Sequence, residues 1–320
     1  MELNQIYESI EEDLARVKEE LRSISKVDFP WLSEQLGYII QGLGKGMRPA
    51  LTLLAGKFYN YNLTYLLPMA VSVELMHTST LVHDDAIDNS TVRRGQATIN
   101  KLWGEDIAIL MGDYLFAKAG VFVADTQNPR VIKLFSQTLA TISSGEINQY
   151  FGAFVLEQTH EGYFQRIASK TASLFSLATE SGAILSEAPQ KSIKILREYG
   201  YNLGIAFQIV DDILDFTGTE EILGKPTGSD LSQGTLTLPA MLLLERYPDD
   251  NPVKRLFTSK DNKNLEQAIA MIKNSPIIEE CYQIASDYCS RACQSLHLLP
   301  QNTSRQALAE LANFVIERKV

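Results

Sequence analysis

Apolar residues recur along this chain at intervals of three and four, the period of a helix with one buried face. Ile6, Ile10, Leu14, Val17 and Leu21 mark the first such stripe, with charged residues between them, and Pro30 closes that region. The periodicity resumes after Pro49 through Leu51, Leu53, Leu54 and Phe58. No proline falls between Pro68 and Pro129, and that interval predicts a long helix over 66–89, a polar turn over 89–96 and a second helix to about Val123. Further helices are expected over 130–157, 161–186, 190–219, 236–247, 263–273, 276–297 and 303–318. The breaks between them fall at Asn128-Pro129, 160–162, Ala188-Pro189, Lys225-Pro226 and 248–250. Alternating strand patterns are scarce, and there is no βαβ alternation, G-x-G-x-x-G or P-loop motif. The pattern predicts an all-α chain, one domain over 1–320, with long helices packed antiparallel.

Composition narrows the function classes. With 45% hydrophobic and 21% charged residues the chain is ordinary globular material. Its 39 acidic against 29 basic side chains give a net charge of −10. That argues against sequence-independent nucleic-acid binding and against a cationic membrane-surface protein. The most apolar stretch, 108–124, is interrupted by Gly112, Asp113, Lys118 and Gly120, and is expected not to span a membrane. The acidic N-terminus (Glu2, Glu8, Glu11, Glu12, Asp13) lacks an apolar signal core, and a cytoplasmic location is expected. Cys281, Cys289 and Cys293 share one helical face without a His or fourth Cys at ligand spacing. They read as small core or interface residues in a reducing compartment.

The strongest chemical signal is a repeated pattern. Asp84, Asp85 and Asp88 form D-D-x-x-D, and Asp211, Asp212 and Asp215 form a second copy. Each lies near the C-terminal end of an apolar helical stretch. On a helix, i and i+4 sit one turn apart on one face, so Asp84 and Asp88 present paired carboxylates, as do Asp211 and Asp215. Such pairs repel, and carboxylates are wrongly signed for a helix C-terminus. A bound cation is the simplest compensation, and oxygen-only donors point to Mg²⁺, which takes one or two carboxylates and completes its shell with waters and phosphates. The plain alternative is a pair of solvated acidic helix ends, which two copies make a poor account.

Basic residues suited to phosphate surround these clusters in sequence. The stretch 42–49 reads G-L-G-K-G-M-R-P, and Lys45 and Arg48 project from a glycine-rich turn entering a helix. Arg93 and Arg94 follow the first cluster; arginines bind phosphate oxygens bidentately. Lys170, Thr171 and Lys225 add cationic and hydroxyl groups. Singly, each reads as a surface charge; together they suggest a site for two phosphorylated molecules. His77 stands two turns before Asp84 on the same face, where a core or capping histidine is the alternative.

As a set these residues resemble the trans-isoprenyl diphosphate synthases, also called polyprenyl synthetases. The stretch 74–95 (E-L-M-H-T-S-T-L-V-H-D-D-A-I-D-N-S-T-V-R-R-G) is similar to the family's first aspartate-rich region, and 203–215 (L-G-I-A-F-Q-I-V-D-D-I-L-D) to the second. G-K-x-x-R-P at 44–49, Gly112-Asp113-Tyr114-Leu115, Gly145-Glu146 and Lys170-Thr171-Ala172 match in content and order, from about 40 to 245. The resemblance implies an all-α isoprenoid-synthase fold around a deep central cavity, a homodimer, and condensation of isopentenyl diphosphate with an allylic diphosphate. It implies three Mg²⁺ held by Asp84, Asp88 and Asp211, with Asp85, Asp212 and Asp215 in support. Arg93, Lys170, Gln208 and Lys225, with Thr171 beside them, would contact the allylic diphosphate. Lys45, Arg48, His77 and Arg94 would hold isopentenyl diphosphate. The proton is lost to the departing diphosphate in the family, so no dedicated base is sought.

Two positions depart from the family pattern: Gly46 stands where Arg is usual, and Thr235 where Lys or Asn is. Product length in the family is set by bulk on the helix before the first cluster. Here Ser79 and Thr80 are small and Met76 is flexible, and the cluster lacks a two-residue insertion. A hexaprenyl to decaprenyl product is expected from farnesyl or geranylgeranyl primers. Tyr150, Phe151 and Phe154 would form a floor, giving geranylgeranyl diphosphate instead, or simply pack. Less favoured readings are a non-catalytic partner subunit of a heteromeric synthase and a terpene cyclase or head-to-head condensing enzyme.

Overall fold

The computed structural model describes residues 3–219 and 226–318. In chain order the helices are α1 (Leu3–Ile6), α2 (Glu11–Ser23), α3 (Pro30–Gln41), α4 (Met47–Gly56), α5 (Leu63–Ile87), α6 (Ile99–Trp103), α7 (Glu105–Asp125), α8 (Pro129–Phe151) and α9 (His160–Ile167). They continue with α10 (Ser173–Leu185), α11 (Gln190–Thr217), α12 (Ser229–Ser232), α13 (Leu238–Arg246), α14 (Pro252–Ser259), α15 (Asn262–Lys273), α16 (Ile277–Gln294) and α17 (Thr303–Glu317). Short strands β1 (Val92–Arg93) and β2 (Gln96–Ala97) form an antiparallel hairpin, the one sheet among the described residues. Two compact units divide the chain. The first takes residues up to Leu139, Leu174–Gly200 and Cys293–Leu311; the second takes Ala140–Ser173, Tyr201–Ala292 and the residues from Ala312.

In the first unit α5 is the central helix. Residues Met69 through Met76 are all buried, so the helix is covered nearly all round rather than along one stripe. Asn62 caps its start, accepting a hydrogen bond from the Thr64 amide at 3.0 Å. It packs on α7, α4 and α2. Two serines seven residues apart lock α5 to α7: Ser79 Oγ donates to Gly112 O at 2.6 Å and Ser72 Oγ to Ala119 O at 2.9 Å. The falling order of the acceptors makes the pair antiparallel. Gly112 gives the His83 ring its place against α7, since an added Cβ would lie 2.1 Å from that ring and push it aside.

The second unit is built on the C-terminal half of α11. Ile205, Ile209, Ile213 and Phe216, at helical spacing, pack with Tyr163, Leu231, Leu238, Ile272 and Cys281. Cys281 and Cys289 are buried and unbridged, and Cys289 Sγ donates to Ala312 O at 3.3 Å.

Several expected helices end or break elsewhere. The helix expected to run to Val123 is split at Gly104, whose φ of +92° ends α6 and starts α7. The polar turn over 89–96 holds the hairpin. The helix expected over 130–157 stops at Phe151, and Phe154 adopts a φ of +60°. The stretch 161–186 is interrupted by a π-helical turn at Ala168–Ala172, and α14 occupies a stretch between the helices expected over 236–247 and 263–273. Helix α7 covers the most apolar stretch of the chain. Its 21 residues are long and apolar enough, by length and composition, to cross a membrane, because its interruptions leave the mean hydropathy high. Its inner face, including Ala108, Met111, Leu115 and Ala119, is buried, while Ile109, Leu110 and Val121 are exposed.

Candidate active site

The first acidic cluster closes α5. Asp84 and Asp85 lie in its last turn, and Asp88 is the C-cap, its amide donating to Asp84 O at 2.8 Å. Asp84 is half-buried and Asp88 exposed, while Asp85 is 5% exposed. The hairpin then folds back on the helix. Arg94 and Gly95 both have positive φ, +51° and +76°, as a two-residue type I′ turn requires. Arg93 on β1 thereby meets Asp85: its Nε lies 2.8 Å from both carboxylate oxygens and Nη2 lies 2.7 Å from Oδ1. Burial pushes the Asp85 carboxyl upward, and the Arg93 pairing opposes it.

Arg94 turns the other way. Its Nη1 donates to Gly42 O at 3.1 Å, and a Cβ on Gly44 would lie 2.9 Å from the guanidinium. The glycine turn thus admits Arg94 beside the segment that carries Lys45 and Arg48. Gly46, the departure from the family pattern, has a φ of +68° as the N-cap of α4, a left-handed conformation that suits glycine. Arg48 lies over the Phe175 ring at 4.9 Å, and Lys45 is exposed. Burial, then Arg48, Arg94 and Arg93, holds His77 well below its ordinary pKa, so it is neutral near pH 7. Glu74, one turn earlier, is buried, and Arg48 and Arg94 oppose the upward push of burial on its carboxyl.

The second cluster lies on α11. Asp211 is partly exposed, whereas Asp212 is 2% and Asp215 1% exposed. Tyr163 Oη donates to Asp212 Oδ2 at 2.7 Å and Gln208 Nε2 to Oδ1 at 2.9 Å. Thr171 Oγ1 donates to Gln208 Oε1 at 2.6 Å, which fixes the amide orientation. Asp215 accepts from the Asp230 amide at 3.3 Å, tying α11 to α12. Lys170 sits in the π-helical turn, a distortion frequent at functional sites, and pairs with Glu146 at 2.9 Å. Gly145 lets α8 approach that turn, since a Cβ would lie 2.7 Å from Ser169 Cβ. Lys225 lies outside the described residues.

Burial and then Asp230 push the Asp212 carboxyl up to about 7. A raised folded pKa contributes stability at acid pH that is lost as pH rises through that value. Asp212→Asn, which stays neutral, is therefore expected to melt progressively higher than the parent as pH goes from about 4 to about 7, with a constant gap above that. Melting curves in chelator would test this, and a gap between the two proteins that is pH-independent below about pH 7 would refute it.

Among the described residues no group of three His, Cys, Asp or Glu side chains is arranged to cage a metal. The donor chemistry nonetheless suits Mg²⁺. Asp84 and Asp88 offer carboxylates one turn apart, Asp211 offers another, and Mg²⁺ needs only one or two with phosphate completing its shell.

The polyprenyl synthetase family model matches residues 29–274. The chain belongs to this family. Heptaprenyl diphosphate synthase component 2 of Bacillus subtilis (strain 168) is 37% identical over 319 residues, spanning 100% of this chain and 92% of that protein. All-trans-nonaprenyl-diphosphate synthase (geranyl-diphosphate specific) of Rhodobacter capsulatus is also 37% identical, over 88% of this chain and 87% of its own. The crystal structure of heptaprenyl diphosphate synthase from Staphylococcus aureus superposes with a TM-score of 0.93 at 33% identity, covering 100% of this chain and 99% of that one. The protein is thus a trans-prenyltransferase of the polyprenyl diphosphate synthase class, with the all-α isoprenoid-synthase fold.

Two partners of the synthase's second acidic cluster, Tyr163 and Arg318, are not legible in the sequence. Tyr163 precedes Lys170 by two turns but touches Asp212, 49 positions away. Glu146 was visible as part of Gly145-Glu146, without its Lys170 partner. Arg318, a lone arginine at a chain end, donates to Asp211 and carried no pattern signal.

Proposed function

We propose that the synthase condenses isopentenyl diphosphate with an allylic primer, farnesyl or geranylgeranyl diphosphate, to give an all-trans polyprenyl diphosphate of hexaprenyl to decaprenyl length. The observation that carries this is the pair of D-D-x-x-D clusters. Each has a buried middle acid gripped by protein donors and a first acid that is partly exposed. Both clusters serve one reaction, and the chain, 1–320, works as a single domain. Asp84, Asp88 and Asp211 would hold three Mg²⁺, which supply Lewis-acid stabilisation of the diphosphate leaving group.

The chain's own residues do the rest. Arg93, Lys170, Thr171 and Gln208 bind the allylic diphosphate and orient its scissile bond. Lys45, Arg48 and Arg94 hold isopentenyl diphosphate, and neutral His77 donates a hydrogen bond there without adding charge. Buried apolar walls keep water from the developing carbocation. Incubating the purified protein with Mg²⁺, isopentenyl diphosphate and either primer, with products read by mass spectrometry, tests the reading. No elongated product would defeat it.

Product length follows from small side chains before Asp84. Met76 and Ser79 are buried, and Thr80 is half-buried with its hydroxyl donating to His77 O at 2.7 Å. Thr80→Phe is expected to shorten the product by one or more isoprene units. An unchanged product mass would remove Thr80 from that role.

The exposed apolar residues of α7 (Ile109, Leu110 and Val121) suit a second copy of the chain, giving a homodimer. A heteromeric enzyme is the second reading, favoured by the words "component 2" in the name of the Bacillus subtilis relative. Mass in solution together with activity of the chain alone separates the two. A cytoplasmic location completes the proposal.

A further inference from the structure

Arginines meet both acidic clusters, but at different acids. In the first, Arg93 takes the buried middle acid, Asp85, and the outer Asp84 and Asp88 lie toward solvent. In the second, neutral donors from Tyr163 and Gln208 already satisfy the middle acid, and an arginine falls on the first acid, Asp211. That arginine is Arg318, at the end of α17. Its Nη2 donates to the Asp211 carboxylate and to Phe207 O, the latter at 2.8 Å. Its guanidinium carbon lies 3.7 Å from the centre of the Phe207 ring. The Arg318 side chain is only 14% exposed, against 41% for Asp211.

The contact is delivered by a fixed element. Leu311, Ala312 and Val315 of α17 are fully buried, and the Arg318 amide closes the last turn on Phe314 O at 3.0 Å. The guanidinium therefore reaches Asp211 from an anchored helix end, and cation–π contact and a backbone acceptor hold it flat. We propose that Arg318 is a built-in competitor of the divalent cation at Asp211, which must give up this carboxylate before metal can bind there. The inference rests on the reading of Asp211 as a metal ligand. A carboxylate oxygen engaged by a guanidinium donates poorly to a second cation, and the two positive charges repel. Arg318 thus sets the metal affinity of the second cluster.

The test is binding of Mn²⁺ to the full chain without substrate, followed by the loss of the free-ion electron paramagnetic resonance signal. Circular dichroism would check that each variant folds. Arg318→Gln is expected to bind Mn²⁺ about fivefold more tightly, the weight of a partly exposed ion pair. Arg318→Lys keeps the charge and is expected to stay near the parent. Raising ionic strength should narrow the gap between Arg318→Gln and the parent, since screening weakens the competing pair. Asp211→Asn separates the two ideas. If it loses a Mn²⁺ while Arg318→Gln binds like the parent, the ligand reading stands and the competition is overturned. If Asp211→Asn binds Mn²⁺ like the parent, Asp211 is no ligand and both are overturned. Weaker binding in Arg318→Gln would also overturn the competition.

Discussion

Asp84→Ala is expected to lower turnover by about a thousandfold while leaving the helical circular dichroism spectrum unchanged. The side chain lies in the last turn of α5 at a half-buried position, so its removal opens no core cavity. What it removes is one of two carboxylates a turn apart that would carry metal against a leaving diphosphate. Asp85→Ala should differ in kind. Asp85 is buried and paired with Arg93, so truncation leaves a guanidinium without its main counter-charge and also costs stability. A steady-state assay alongside thermal melts distinguishes the two. Near-parental turnover in Asp84→Ala would remove this residue from the reaction.

Gly182→Val is expected to give the largest loss of stability. Gly182 lies on α10 against α4, and a Cβ there would sit 2.3 Å from Thr52 O and 3.1 Å from Ala55 Cβ. The first obstacle is backbone inside a helix, which cannot rotate away as a side chain would. Overpacking of this sort costs about 3 kcal/mol, which for a chain of this size lowers the melting temperature by about 5 °C. Gly37→Ala is the matched control, because nothing lies within 4 Å of its added Cβ. It should be neutral or raise stability by about 0.5–1 kcal/mol through helix propensity. Equal melting temperatures for the two variants would contradict the close approach of α10 to α4.

Helix content was readable because burial imposes a 3.6-residue period on most of the chain. The places where reading failed are those where periodicity carries no information. The π-helical turn at Ala168–Ala172 adds a residue to one turn without disturbing the apolar spacing around it. Gly104 breaks a helix by a backbone angle, while apolar residues continue on both sides. The acidic clusters were readable because the same five-residue pattern occurs twice. The division of labour within each was not, because it is decided by partners distant in sequence. Asp212 is gripped by Tyr163 from another helix, and Asp211 is met by Arg318, 107 residues on. The sequence suggests a phosphate contact for Arg93, and the fold also gives it a carboxylate to hold.

The tight hairpin after α5 makes two neighbouring arginines non-interchangeable. Arg93 lies in a strand and Arg94 in a left-handed turn position, so one grips an acid and the other reaches the glycine loop. Position along the chain, not chemical identity, assigns the work. Inserting one uncharged residue after Val92 would keep both guanidinium groups and the net charge, yet move Arg93 into the left-handed turn position and Arg94 into that of Gly95. In this corner of the molecule, spacing decides what each arginine touches as firmly as its charge does, and a length change would disrupt contacts that composition alone leaves intact.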